Sequence, residues 1–323
     1  MNSDLTGRYQ AARQAAFYVL PNPGCLQIEG DDRQAFLQRQ TTNDVRRLAP
    51  GRSVTTVLTS PTARILDVLA LLPQEQSILA LTLPGLGAAT ARYLRSRIFF
   101  MDKVSLAERS QELAQLDLFG SQAAQALARL GLAELQPGET ADVSWSGQAL
   151  RLLRWLPGVG LGLRLLAPAD GLPAVREALL DGGLVEADEA LYTVLRVEAG
   201  LPTGAELSES YTPLETGLAA LVSGSKGCYT GQEVLARQVT YDKVTQALAG
   251  LRLEAPVEPG ARLWSETGEP AGSLTSAAES PAFGWIGLGV VKRAQAAPGS
   301  LLRIGSRDGA AARVSVLPFA ENE

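Results

Sequence analysis

Ser223-Gly224-Ser225-Lys226-Gly227-Cys228-Tyr229-Thr230-Gly231-Gln232-Glu233 is the stretch whose reading decides the fold of this 323-residue chain. Thr230 and Glu233 stand in the Thr-x-x-Glu spacing of a capping box, in which hydroxyl and carboxylate satisfy the first N–H groups of a helix. That spacing predicts a helix from Gly231 toward Gln238. Gly224 and Gly227 allow a tight, open loop before it, because glycine tolerates backbone angles closed to other residues. Cys228 then falls just before the helix N-terminus, where unpaired N–H groups and the helix dipole favour negative charge. Lys226 lies two residues away. Both features favour thiolate over thiol. The local pattern supports two readings: a reactive thiolate at a loop–helix junction, or a buried, inert cysteine, since free cysteine is among the most buried residue types.

The rest of the chain frames this segment as a mixture of helices and strands. Cys25–Glu29 alternates like a half-buried strand, and Cys25 opens it with no basic neighbour, as a core cysteine does. The stretch before it, through Leu20, reads as a helix or an ordered arm. Asp31 or Asp32 can cap a helix running toward Gln40, with Phe36 and Leu37 inward. Strands are expected at 54–58, 65–72, 78–83 and 104–107, with a helix over 88–99 between the last two. A second α/β stretch follows, with strands at 113–119, 150–155 and 161–166 and helices at 123–130 and 173–180. Helical spacing over 188–199 stops at Gly200-Leu201-Pro202, a sound terminator. From Gln246 onward, short alternating segments with Gly and Pro punctuation predict a small barrel or sandwich. The expected division is therefore 1–245 and 246–323.

Composition bounds the function. The net charge of −5 argues against a dedicated nucleic-acid binder. Histidine is absent. No Ser-His-Asp triad, Cys-His pair or imidazole metal site can be built from this chain alone. Acid–base work falls to Asp, Glu, Lys, Tyr, Cys or a bound ligand. Two cysteines cannot supply the four thiolates of an ordinary iron–sulfur cluster, so no metal site is expected. They also do not form a secreted disulfide framework, and no signal-like or membrane-spanning run is evident. The expectation is a cytoplasmic monomer without membrane contact.

Lys226-Gly227-Cys228-Tyr229-Thr230-Gly231-Gln232-Glu233 resembles the signature of the YgfZ family of folate-binding proteins, within the aminomethyltransferase (glycine-cleavage T-protein) superfamily. Other segments agree in order. Phe36–Gln40 followed by Thr42-Asn43-Asp44-Val45 is similar to the family's early helix and turn. Arg64–Asp67, Arg196–Gly200 with Pro202, and Pro213–Glu215 resemble further markers. Gly272–Ser276 and Gly287–Val291 look like the superfamily's C-terminal barrel.

The resemblance implies an α+β fold, a cloverleaf of two mixed α/β regions plus a small C-terminal β-barrel, around a folate channel. It implies tetrahydrofolate, or a one-carbon-substituted folate, as cofactor. Glu198 would contact the pterin, since a carboxylate can accept two hydrogen bonds from an aminopyrimidine edge; by composition alone it would be a helix-end surface carboxylate. Arg237 either steers an anionic folate tail or is a solvated helix-end residue. Tyr229 either stacks on a ligand or fills the core. Asp67 is the remaining half of an acidic pair that T-proteins carry, because Val68 follows it. The implied function is a folate-dependent accessory factor for iron–sulfur cluster assembly or repair in client enzymes, including tRNA-modifying ones. Cys228 would act there, with Lys226 stabilising its thiolate. Partners would be folate and iron–sulfur clients, with no direct nucleic-acid contact. The alternative is an aminomethyltransferase of the glycine-cleavage type. A thiol redox protein or a degenerate folate-fold scaffold ranks below both, and the absence of a Cys-x-x-Cys weakens the dithiol version.

Overall fold

A computed structural model describes residues 3–320 apart from 133, 146, 157 and 159. The chain forms two compact units. The first holds residues 1–188 together with 221–232, and the second holds 189–220 together with 233–323.

In the first unit, the long apolar runs of the sequence become strands buried on both faces. A five-stranded antiparallel sheet runs in the order Val54–Thr59, Ile65–Pro73, Ser77–Thr82, Gly24–Glu29, Ser105–Glu108. Because side chains alternate across a sheet, successive residues serve different cores. Leu69, Leu71, Ile78, Ala80, Leu26 and Ile28 face the helices Arg33–Gln40 and Gly87–Arg95, against Phe36, Leu37, Ala91 and Leu94. Cys25, Ala70, Leu72, Leu79 and Leu81 point the other way, onto Leu153 and Leu166 of a second sheet and Trp155 just beyond it. That second sheet has six strands, in the order Val185–Glu186, Ala16–Val19, Leu113–Phe119, Leu163–Pro168, Gln148–Arg154, Thr140–Trp145. Its far face, with Phe17, Leu116, Leu152 and Leu165, is covered by Leu127 of helix Ala123–Arg129 and Val175 and Leu179 of helix Leu172–Asp181. Two sheets back to back, each capped by helices, explain why near-continuous apolar segments fold as antiparallel strands. One-sided antiparallel strands would have shown strict alternation.

Several elements differ from the expectations. The N-terminal helix covers Ser3–Gln14, and Ala16–Val19 is a strand that pairs with both Val185–Glu186 and Leu113–Phe119. The helix expected over 88–99 ends at Arg95. Asp32 does occupy an N-cap position, but its side chain makes no cap bond, and its Oδ2 accepts the Lys103 N–H at 2.9 Å instead.

The second unit contains a closed six-stranded antiparallel barrel, in the order Gln246–Leu253, Gly284–Lys292, Pro270–Ser280, Arg262–Ser265, Leu301–Ile304, Ala311–Ser315. Closure leaves no open sheet edge. Leu251, Leu263, Leu274, Val291, Leu302 and Val314 belong to its core. The alternating glycines of Gly287-Leu288-Gly289 follow from the small bore: a Cβ on Gly289 would come within 2.9 Å of Leu251 Cδ1. Ile286 and Leu288 point outward and meet Val197 of helix Glu189–Glu198 and Phe319. The fold is thus α+β, with two α/β regions and a C-terminal β-barrel. No helix among the described residues is long and apolar enough to cross a membrane.

Candidate functional site

Residues 221–230 lie along the end of helix Arg33–Gln40 and the turn after it, and nearly every residue of that turn holds the segment. Thr42 Oγ1 donates to the Leu221 carbonyl at 2.7 Å, and the Ser223 N–H donates to the Thr42 carbonyl at 3.0 Å. Gln38 Nε2 donates to the Lys226 carbonyl at 3.2 Å and to Asp44 Oδ1 at 3.0 Å, while Gln38 Oε1 accepts the Val45 N–H at 2.7 Å. The Thr230 N–H donates to the Arg39 carbonyl at 3.2 Å, and Thr59 Oγ1 donates to the Thr230 carbonyl at 2.7 Å. Gln38, Thr41, Thr42 and Asn43 were not singled out as site residues by sequence reasoning. Their signal was present, because they sit in the Phe36–Val45 block that accompanies the Cys228 segment.

Lys226 is the central clasp. It is 5% exposed, and its Nζ donates to the Thr41 carbonyl at 2.5 Å and the Asn43 carbonyl at 2.6 Å. The same ammonium stands 5.1 Å from the centroid of the Tyr229 ring. Burial pushes the amine down to about 8. The expectation gave this ammonium to the Cys228 thiolate. The structure commits it to two main-chain carbonyls and a ring, so its visible work is to anchor the loop. Tyr229 is correspondingly buried, and burial raises its phenol.

Cys228 is exposed, between a buried lysine and a buried tyrosine. Two glycines make that placement possible. Gly227 has φ +97° in open surroundings, so only its backbone angle calls for glycine. Gly231 has φ +86°, and a Cβ there would also come within 2.8 Å of the Ser60 carbonyl oxygen. The helix after it spans Gln232–Thr240, and Glu233 pairs with Arg237 one turn on. Arg237 is therefore an exposed member of an i, i+4 ion pair. Cys25 lies in the sheet-to-sheet core, where burial pushes its thiol up to about 12.

Asp67, expected at a ligand site, lies fully buried in the first unit. A register shift between Leu58 and Thr59 accompanies it. Its Oδ1 accepts the N–H groups of Val68 at 2.8 Å and Leu83 at 2.9 Å, and its Oδ2 accepts the Thr90 hydroxyl at 2.5 Å. Burial nevertheless pushes the carboxyl up to about 7. Its oxygens tie strand Ile65–Pro73 to helix Gly87–Arg95.

Glu198 ends helix Glu189–Glu198 in the second unit and is half-buried. Its Oε1 accepts the Ser280 hydroxyl at 2.5 Å. Ser280 Oγ in turn accepts the N–H groups of Ala282 and Phe283, each at 3.0 Å, which leaves its proton for Glu198. Two residues earlier, Arg196 Nη2 donates to Ser276 Oγ at 2.7 Å, and Ser276 donates to the fully buried Glu206 at 2.6 Å. Arg196 thus fixes the helix end while Glu198 carries the carboxylate. Folate fits this acceptor: a carboxylate offers about four acceptor sites, and a pterin edge presents two adjacent N–H donors. Lys226, Cys228 and Tyr229 are together in the first unit. Glu198 and Arg237 belong to the second.

Comparison with known proteins agrees with this architecture. Residues 20–226 match the model of the GCVT N-terminal domain, and residues 246–320 match that of the glycine cleavage T-protein C-terminal barrel domain. The chain is 33% identical over 292 residues to a chloroplastic protein of Arabidopsis thaliana whose name calls it a transferase without stating a substrate; the match covers 87% of this chain and 66% of that protein. It is 30% identical over 277 residues to an aminomethyltransferase of Thermus thermophilus, covering 83% and 77% of the two chains. The crystal structure of the glycine cleavage system aminomethyltransferase T from Bartonella henselae has the same fold, with a TM-score of 0.85 at 24% identity over 98% of this chain and 90% of that one. By its two domain matches and its fold, the chain belongs to the glycine-cleavage T-protein family.

Proposed function

We propose that this chain is a tetrahydrofolate-binding accessory factor that presents Cys228 to iron–sulfur clusters of client enzymes, tRNA-modifying ones among them, during assembly or repair. One observation carries the reading: the group held out to solvent on the braced loop is a thiol. At the place of the T-protein acidic pair, the one remaining carboxyl, Asp67, is sealed in the core by three internal donors. Aminomethyl transfer needs a carboxylate near the folate nitrogens, working by position and electrostatics. Nothing at residues 67–68 serves that need.

In this reading, Glu198 holds the aminopyrimidine edge, with Ser280 fixing the carboxylate. Arg237 offers a guanidinium to the anionic tail of tetrahydrofolate or a one-carbon-substituted folate. Bound tetrahydrofolate supplies a carrier for one-carbon units. Lys226 and the Gln38–Asn43 turn keep Cys228 in place. When Cys228 ligates iron, its proton leaves to bulk water. With Cys25 enclosed in the core, each chain offers one thiolate, so the remaining iron ligands stay with the client.

The test pairs two measurements. Isothermal titration of the wild type with tetrahydrofolate is expected to give micromolar binding that collapses in Glu198→Ala. In cells relying on Cys228→Ala, the activity of a [4Fe–4S] enzyme is expected to fall while the purified variant keeps its fold. An unimpaired Cys228→Ala strain sinks the accessory role. Turnover of an aminomethyl-lipoyl carrier by the purified wild type would instead establish aminomethyl transfer, which the relatives named aminomethyltransferases favour.

A further inference from the structure

The segment after helix Gly87–Arg95 presents Phe99, Phe100 and Met101 to solvent, at 68%, 97% and 75% exposure. Large apolar side chains in three consecutive positions are not the scattered exposure normal for a surface; a contiguous patch marks an interaction site. The segment is built to hold them there. Asp102 Oδ2 accepts the Phe99 N–H at 3.0 Å, and the Asp102 N–H donates to the Phe99 carbonyl at 2.9 Å. Arg39 Nη2 grips Asp102 Oδ1 at 2.7 Å. The tip is a closed turn braced from a neighbouring helix.

Two chains of contacts join this tip to the Cys228 loop within the first unit. Arg39 binds Asp102 through its guanidinium and the Thr230 N–H through its carbonyl. Thr59 accepts the Tyr93 hydroxyl on its carbonyl at 3.4 Å and donates its own hydroxyl to the Thr230 carbonyl at 2.7 Å. Bond lengths along the first path place Met101 and Cys228 within roughly 30 Å of each other, about the width of a standard interface patch of ~800 Å² per partner.

The rim of the tip is basic. Arg92, Arg95, Arg97 and Lys103, close to it along the chain, are exposed, and Arg97 stacks on the Tyr93 ring at 4.9 Å. Asp102 is engaged by Arg39, and Asp31 pairs with Lys103 at 3.3 Å; Asp32 accepts the Lys103 N–H. Cations outnumber carboxylates here on a chain whose net charge is −5.

We infer that Phe99–Met101 and its basic rim are the surface on which a client protein docks to bring its cluster or thiol to Cys228. The partner has an apolar cleft with an acidic rim, complementary in both shape and sign. This inference rests on the reading that Cys228 serves client proteins.

The test uses the full chain with Phe99→Ser/Phe100→Ser and, separately, Arg97→Glu. Both are expected to keep the rate of Cys228 reaction with a thiol-specific disulfide reagent, and tetrahydrofolate affinity, within about twofold of wild type, since neither touches those groups. In cells, the double variant is expected to lower [4Fe–4S] enzyme activity to the level of Cys228→Ala, and Arg97→Glu to lower it in part. Unchanged client activity in the double variant overturns the docking surface, whatever Cys228→Ala does. If the double variant loses activity but Cys228→Ala does not, the tip still docks a partner, but delivery to Cys228 is overturned together with the thiol reading. Sedimentation of wild type, but not of the double variant, with phosphatidylcholine–phosphatidylglycerol vesicles would assign the tip to lipid and overturn the protein partner.

Discussion

Asp67→Asn separates a core role for this carboxyl from a ligand-binding one. The side chain is fully buried, accepts from Val68 N, Leu83 N and Thr90 Oγ1, and is pushed by burial from the ordinary 3.8 up to about 7. Between roughly pH 4 and 7, the native chain therefore holds a proton that the unfolded chain has released. Stability falls as pH rises through that window and levels off above it. At 1.36 kcal/mol per unit, the raised carboxyl costs about 4 kcal/mol once ionised, and roughly 2–3 kcal/mol of this develops between pH 5 and pH 8. Asparagine keeps one oxygen for the two N–H groups and turns its Nδ2 to Thr90 Oγ1, which can accept. Its advantage over wild type is expected to grow by about 2–3 kcal/mol from pH 5 to pH 8. Urea midpoints at the two pH values, at unchanged slope, measure this. An advantage that is flat with pH, or a variant less stable than wild type at pH 8, refutes the reasoning. Tetrahydrofolate affinity should not move; its collapse would return Asp67 to the ligand site.

Three further outcomes follow from the same contacts. A thiol-specific disulfide reagent should titrate one cysteine in the native chain, Cys228, and two only after denaturation, because Cys25 lies between the sheets; two fast thiols would contradict the layered core. Lys226→Met leaves the Thr41 and Asn43 carbonyls without their charged donor and should cost about 2–4 kcal/mol near neutral pH. The wild type's lead should widen from pH 8 to 10, as the native amine sheds a proton that the unfolded chain still holds; a lead that narrows argues against a depressed amine. Ser280→Ala should weaken tetrahydrofolate binding by roughly 5–10-fold, with Ser280→Thr restoring it, since one charge-assisted hydrogen bond orients Glu198; equal affinity in all three chains would detach Ser280 from the ligand.

Much of this was legible in the sequence because local and tertiary signals agree. The strands Leu113–Phe119 and Leu301–Ile304 fall where alternation and turn residues place them, and the barrel strands begin where Gly and Pro punctuation begins. Failures came where distant contacts outweigh local pattern. Ala16–Val19 follows a helix with no break that local rules detect, and its strand conformation comes from partners about 100 and 170 residues away. Helix Gly87–Arg95 stops four residues short of the expected end at Phe99, where Asp102, held by Arg39, closes a turn. Lys226 looked like the neighbour of a thiol because sequence spacing is one-dimensional. Its acceptors, Thr41 and Asn43, are 185 and 183 residues upstream. Asp67 was visible as an acid but not as a sealed one, since burial depends on the helix that brings Thr90 over it.

The excursion of residues 221–232 into the first unit has a consequence for biosynthesis. As the polypeptide emerges from the ribosome, residues 1–188 can collapse early, yet the carbonyls of Thr41 and Asn43 wait for an ammonium translated about 185 residues later. The last piece of the first unit thus arrives after part of the second has been made. Cutting the gene at residue 188 would yield a fragment missing its own clasp, so a simple two-piece dissection of this protein cannot reproduce the parts from which the whole is assembled.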